Sequence, residues 1–477
     1  MAERRAAEGG RRKTLACALF GVLAVVFPFL ALAAELPPTV NAALKEAGIP
    51  ASSVSVVVQR VDSPQPLIRH NARQAMNPAS AMKLVTTYAA LELLGPAHTW
   101  KTEALADATP LDGDLQGNLY LRGSGDPRLA LEQFWLLLRQ LRNRGIRQIN
   151  GDLILDRSAF SLPAHDPARF DNAPLKPYNA GPDALLINLK SLRLTLRPEA
   201  GQKAPRIVVD TPDENLLPGN RLKLVDEACG DWREKFSVNV NGSALELVGN
   251  FPASCGEKTL YLSPWSADMQ VERLFRALWS ELGGHLHGKV REGLAPSTAI
   301  PLAVHESPPL AEIVREVNKY SNNVMARQIF LSLDTARPAS SAGAQQRVLG
   351  WLADKGLRLP ELVLDNGSGL SRHERISAES LAQLLLAAWK SPVMPELMSS
   401  LPLAGVDGTL KKRFDKHAAL GRAHLKTGYL EGARALAGYV LDTSGQRWVY
   451  VFLINDPKSG QGKAAMDTLL RWVISAG

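Results

Sequence analysis

The chain has 477 residues, about three domains' length, and a formal charge of +8; the five basic and two acidic residues among the first 33 account for +3, leaving +5 on the remainder. That excess is spread out, and no basic run is interleaved with aromatics. Nucleic-acid binding is therefore not expected, while attraction to an anionic polymer is permitted.

In chain order, Arg4, Arg5, Arg11, Arg12 and Lys13 precede an apolar run over residues 15–34 that contains Ala31-Leu32-Ala33. This reads as a secretory leader, residues 1–33, with an Ala-x-Ala cleavage site. The run is also long enough to span a bilayer, so an uncleaved anchor is the alternative; Pro28 and the small-residue exit favour cleavage. Cleavage removes Cys17 and leaves Cys229 and Cys255, which in an oxidising compartment form one disulfide or remain two buried free thiols.

Next come a short helical pattern over residues 40–48 and strand patterns over 53–59 and 66–70, followed by a helix opening at Ser80. Strands are expected at 118–122, 152–155 and 185–196, and residues 207–261 are almost wholly β-like, with many turn residues. A helix follows at 269–282, and residues 291–311 lead back. Residues 339–344, rich in Ala, Ser and Gly, read as a surface loop. Strands at 435–441 and 447–454 flank Ser444-Gly445 as a hairpin before an amphipathic helix at 463–474. Both ends of the chain thus contribute to one α+β sheet-and-helix domain. The 240 residues between Ser80 and Ser321 are too many for a loop and form inserted domains. The expected division is 34–95 (first part of the main domain), 96–190 (insertion), 191–265 (β-rich insertion), 266–300 (return segment) and 301–477 (second part of the main domain).

Chemistry concentrates in three short motifs. Ser80-Ala81-Met82-Lys83 follows Asn77-Pro78, a good N-cap and a good first helical residue, so Ser80 and Lys83 share a helix face one turn apart. A serine hydroxyl needs a base, and a lysine serves only if its amine is partly neutral. Lowering a lysine from about 10.4 to near 7 costs roughly 4–5 kcal/mol, which burial and neighbouring positive charge must supply. Ser321-Asn322-Asn323 and Lys426-Thr427-Gly428 complete the set. Ser321 can relay a proton between Lys83 and a leaving amine, and Asn323 can hold a substrate amide and orient Lys83. Lys426 adds a second cation that favours a neutral Lys83 and attracts an anionic substrate end. Thr427 offers a hydroxyl, and Gly428 is expected to let a bound peptide approach the strand. The backbone N–H groups of Ser80 and Tyr429 form the expected oxyanion hole.

With these motifs in this order, and the long insertion between the first two, the chain resembles the class C low-molecular-mass penicillin-binding proteins, the D-alanyl-D-alanine carboxypeptidase/endopeptidase family. Gly123-Ser124-Gly125-Asp126-Pro127, Gly151-Asp152-Leu153-Ile154-Leu155-Asp156, Asp365-Asn366-Gly367-Ser368-Gly369-Leu370-Ser371-Arg372 and Leu401-Pro402-Leu403-Ala404-Gly405-Val406-Asp407-Gly408 are similar as well. The resemblance implies a β-lactamase/DD-peptidase-like antiparallel sheet with flanking helices, interrupted by two smaller domains. It implies a periplasmic enzyme that cleaves D-Ala-D-Ala ends and peptide cross-bridges of peptidoglycan without a cofactor, and that β-lactams acylate. It further implies that Asp156, Phe160 and Arg372 frame the free end of a diaminopimelate side chain, an acceptor for its ammonium and a bidentate donor for its carboxylate. Outside such a role Asp156 is a strand-end turn residue, Arg372 a surface ion pair and Phe160 a core side chain. Tyr429 stands where these enzymes carry Thr or Ser, and Glu431 where an amide is often found.

A serine β-lactamase or esterase can share the three motifs but has no insertion of this size, and a non-catalytic wall-binding scaffold would have no reason to keep the trio intact. His285-Leu286-His287, with His305, is the nearest approach to a metal site; without acidic or Cys ligands at suitable spacing, no metal is expected.

Overall fold

The strand Arg447–Asn455 is apolar almost throughout because both its faces are buried. Trp448, Tyr450, Phe452 and Ile454 enter one core; Val449, Val451 and Leu453 enter another on the opposite side. The computed structural model describes residues 35–210, 218–414 and 416–475, and the leader read over residues 1–33, with Cys17, lies outside them. Five antiparallel strands form the main sheet in the order Ala423–Leu430, Ala433–Leu441, Arg447–Asn455, Val54–Arg60, Pro66–His70. Helices Pro38–Glu46 and Lys463–Ser475 cover one face. The other is covered by Lys83–Leu93, Leu310–Tyr320, Asn323–Ser332, Ser341–Asp354 and Ala378–Trp389.

The chain leaves this core after Lys83–Leu93 and returns at Leu310, and the two crossings are tied together. Ser307 N–H donates to the Trp100 carbonyl at 2.9 Å and Leu310 N–H to that of His98 at 2.8 Å. Between them stands a second five-stranded sheet, ordered Val290–Glu292, Leu153–Asp156, Leu119–Gly123, Lys101–Ala106, Ile300–Glu306, packed on helices Leu131–Asn143 and Ala267–Glu281. Ile300–Glu306 pairs with Lys101–Ala106, so this strand belongs with the second sheet, whereas the sequence placed residues from 301 onward in the main domain. Two three-stranded sheets, built from strands between Leu192 and Leu262, share a further core around Trp232, Leu247 and Phe251.

Two expectations are corrected. Only Leu192–Arg197 of the stretch 185–196 is a strand; Asn188, Leu189 and Lys190 have φ of 51°, 52° and 52°. The apolar residues before them serve different cores, Leu185 and Ile187 the insertion and Leu186 the helix residue Val324, so their alternation does not mark a strand. Residues 339–344 are not a surface loop. Ser340 caps the helix Ser341–Asp354, its Oγ accepting from Gly343 N–H, while Asp334 accepts from the Ser340 N–H and Ala339 and Ala344 are buried.

Glycine enters where the edge strand Ala423–Leu430 meets the turn Ala79–Met82. A Cβ on Gly428 would lie 2.5 Å from the Pro78 carbonyl oxygen and 3.1 Å from Ala79 Cβ; on Gly369, at φ +81°, it would lie 2.1 Å from the Ala79 oxygen. The turn is clamped between two glycines, and Gly428 is needed for this internal approach.

Two outcomes follow. Gly428→Ala should displace the turn and lower the rate of Ser80 acylation by a labelled β-lactam about 100-fold, with the circular dichroism spectrum retained. Cys229 and Cys255 are joined in a disulfide across a separation of 26 residues inside the β-rich insertion. Replacing both with Ser should cost that region about 3 kcal/mol, read as faster hydrogen exchange in its strands, while Ser80 stays reactive.

Candidate active site

Ser80 lies in the 3-10 turn Ala79–Met82, and the α-helix begins at Lys83. The expected α-helical start at Asn77-Pro78 is therefore displaced, because Ala79 adopts φ 47° and breaks the helical dihedrals. Asn77 pins the turn instead. Its Oδ1 accepts from Ala79 N–H, its Nδ2 donates to the Ser371 carbonyl, and its backbone exchanges hydrogen bonds with the Asn455 side chain. A 3-10 turn eclipses residues three apart. Lys83 Nζ accordingly lies 3.0 Å from Ser80 Oγ.

Lys83 is fully buried, and its Nζ also contacts Asn323 Oδ1 at 2.6 Å and the Ser368 carbonyl oxygen. Burial first, then Lys426 and Arg327, hold its proton affinity well below the ordinary lysine value, with Glu374 opposing them. A neutral amine has two N–H bonds and one lone pair. Donating to Asn323 and Ser368 leaves the lone pair for the Ser80 hydroxyl proton.

Ser321 ends the helix Leu310–Tyr320 in a left-handed conformation, φ 57°, and Asn322 caps the next helix by accepting from Met325 N–H, which points Asn323 at Lys83. The approach is anchored by Lys319, buried and donating to the Leu401 carbonyl at 2.7 Å and to Asp407 Oδ2 at 2.6 Å. Lys426, also fully buried, donates to Ser321 Oγ and to the Thr427 carbonyl, both at 2.8 Å, and burial lowers it to about 7. Thr427 Oγ1 pairs with Thr409 Oγ1 at 2.9 Å, so two hydroxyls stand together.

Ala423–Leu430 is the terminal strand of its sheet. Ala404 N–H donates to the Ala423 oxygen and Leu425 N–H to the Pro402 oxygen, so the odd-numbered residues turn their backbone groups to the outer edge. Continuing the alternation directs the N–H groups of Thr427 and Tyr429 outward too. The Tyr429 side chain, 63% exposed, lies under the Arg434 guanidinium at 4.9 Å. His424 pairs by its backbone with Leu403.

Beside the motifs is a cavity of about 300 Å³ lined by Phe170, Arg372, Leu370, Arg327, Asp365 and His165 among others. Arg372 stacks on Phe170 at 4.7 Å and donates to the Glu431 carbonyl at 3.0 Å. Phe170 packs against the small cluster of Ala79, Leu370, Leu430 and Ala433, which includes the residue before Ser80. Neither Asp156 nor Phe160 lines this cavity. The Asp156 carboxylate is 2% exposed and is consumed by backbone N–H groups of Ser158 and Ala295; Phe160 lies over Gly125. Among the histidines, His287 bonds Gln148 and His305 faces Asp126 at 3.5 Å. Sequence reasoning missed Phe170, Thr409, Arg327 and Glu374. Phe170 stands in a stretch without periodicity, and Thr409 directly follows a segment already singled out.

The D-Ala-D-Ala carboxypeptidase 3 (S13) family model matches residues 36–473. The chain is 27% identical over 416 residues to the D-alanyl-D-alanine carboxypeptidase DacB of Haemophilus influenzae, covering 86% of each. It is similar to the crystal structure of penicillin binding protein 4 from Haemophilus influenzae, at TM-score 0.77 and 26% identity over 91% of this chain and 99% of that one. The complex of that protein with a β-lactam matches at TM-score 0.73 and 25% identity, over 92% and 99%. With a match spanning nearly the whole described chain, the protein belongs to the D-Ala-D-Ala carboxypeptidase 3 (S13) family.

Proposed function

We propose that the protein is an exported serine DD-peptidase that cleaves D-Ala-D-Ala ends and D-amino-acid cross-bridges of peptidoglycan through an acyl-serine, and that penicillins acylate the same serine. The observation that carries the reading is the contact between Ser80 Oγ and a fully buried Lys83 Nζ at 3.0 Å. Family membership supplies the substrate class.

In the proposed reaction Ser80 Oγ attacks the carbonyl carbon of the penultimate D-Ala as its proton passes to Lys83. The carbonyl oxygen takes the negative charge and is held by the N–H groups of Ser80 and Tyr429. The C–N bond then breaks, and the leaving amine takes the proton from Lys83 through Ser321. Water completes the cycle by adding to the ester carbonyl, giving the shortened peptide acid and restoring the Ser80 hydroxyl. Lys426, in its protonated form, and Thr427 receive the substrate carboxylate; Asn323 receives the peptide amide. Arg372, braced by Phe170, faces the side-chain end of a longer substrate.

Labelled penicillin tests the assignment. Ser80→Ala should lose labelling and peptide cleavage together, and Lys83→Arg should be equally inactive because a guanidinium does not give up its proton near neutral pH. Labelling that survives in Ser80→Ala would remove the nucleophile from this proposal.

Preference between substrates is a second expected outcome. Tyr429 offers no small hydroxyl to a terminal carboxylate, and one charge-assisted hydrogen bond is worth about 1.5–3 kcal/mol. Tyr429→Thr should therefore raise kcat/KM on a D-Ala-D-Ala pentapeptide by roughly tenfold. Arg372→Ala should slow cleavage of a cross-linked dimer and spare the pentapeptide. Kinetics on the two substrates side by side check both, and unchanged ratios in either variant would show that its residue does not set preference.

A further inference from the structure

Glu374 belongs to none of the three motifs, yet it is fully buried close to them. Its Oε1 accepts from three successive backbone N–H groups, of Asp365 at 3.3 Å, Asn366 at 3.1 Å and Gly367 at 2.8 Å. These residues open the loop whose Ser368 carbonyl contacts Lys83 Nζ. Its Oε2 is sealed from solvent and has no hydrogen-bond partner among the described residues. A carboxylate so placed is costly unless its charge is used by neighbouring cations.

The charged groups that act on Lys83 or on Glu374 come from four elements. Lys83 stands on its own helix, Arg327 on the helix Asn323–Ser332 and Lys426 on the edge strand; Asp365 lies in the same loop as Glu374. Lys83 therefore sits among two other basic side chains and one buried carboxyl group. Burial and those cations weaken Lys83 as a base and the carboxyl group opposes them, and a general base works best with a pKa near the operating pH.

Resting on the reading of Lys83 as the base, we propose that Glu374 is a positioning residue for acylation. It braces the loop that presents the Ser368 carbonyl to Lys83 and, in its ionised form, keeps that amine a strong enough base to take the Ser80 proton. The electrostatics agree in direction, with Glu374 raising the proton affinity of Lys83 against burial, Lys426 and Arg327. Its own proton affinity is raised, by burial first and also by the Asp365 charge, against the three N–H donors.

The sign of the effect follows. Removing the anion lowers the pKa of Lys83, so the neutral amine persists to lower pH and the acid limb of the acylation rate moves down. The plateau falls too, because the base is weaker.

The test is the pH profile of acylation by a labelled penicillin in the whole protein and in Glu374→Gln, which keeps an acceptor for the loop and removes the charge. The acid limb should move down by roughly 0.5–1 pH unit with a several-fold lower plateau. Glu374→Asn, a shorter neutral amide, should show the same shift and serves if the first variant fails to fold. Glu374→Asp keeps the charge, so its limb should stay near that of the parent even where its rate falls. An unmoved limb in a folded neutral variant, or an equal shift in Glu374→Asp, overturns the inference. A parent protein with no acid limb, or Lys83→Arg that still acylates, would instead overturn the reading of Lys83 on which it rests.

Discussion

The site depends on one amine held away from water. Lys83 Nζ is met by polar groups from three separate segments, the turn Ala79–Met82, the helix Asn323–Ser332 and the loop beginning at Asp365. A lysine with no exposure tolerates this only if each contact is in place, because a buried amine without partners costs several kcal/mol. The convergence therefore fixes how the surrounding elements pack. Gly428 and Gly369 admit the Ser80 turn at distances that any side chain would forbid, and the Glu374 carboxylate fixes the path of the Ser368 loop.

A second strain is accepted for the same purpose. Ser321 carries a left-handed backbone at a cost of roughly 1–2 kcal/mol for a residue with a Cβ. The reversal lets one helix end and another begin within two residues, which brings Ser321 to Lys426 and Asn323 to Lys83. Lys319 stabilises the reversal by tying the end of the first helix to the Leu401 carbonyl and Asp407. The two active-site lysines are thereby held through different partners. Each is weakened mainly by its own burial, and Lys426 further weakens Lys83.

The main sheet was legible because its strands are apolar on both faces, and the three motifs because each job needs a particular side chain. Legibility ended where function depends on backbone geometry or on residues met only through the fold. Nothing local distinguishes Ala79, whose positive φ turns an expected α-helical start into a 3-10 turn. Asp156 had a family role by position, but its carboxylate is satisfied by the backbone of Ala295, 139 residues away. The start of helix Ser341–Asp354 looked like a loop because small residues suit both, and the deciding partner, Asp334, lies before the turn. Glu374 lies just beyond the segment quoted for its glycines and arginine, and nothing in the spacing shows that its carboxylate faces inward.

The insertion does more than separate the motifs. It brings Phe170 against the cluster of Ala79, Leu370, Leu430 and Ala433 and under the Arg372 guanidinium, so one aromatic ring links the core beside the Ser80 turn to a cation that lines the cavity. Arg372 is held at its opposite side by the Glu431 carbonyl, just beyond the edge strand. An anionic substrate end reaching Arg372 thus meets a guanidinium already oriented by stacking and by a backbone acceptor, which lowers the ordering cost of binding. The three motifs carry the proposed acyl transfer. The chain between the first two helps line the cavity beside them, through His165 and Phe170.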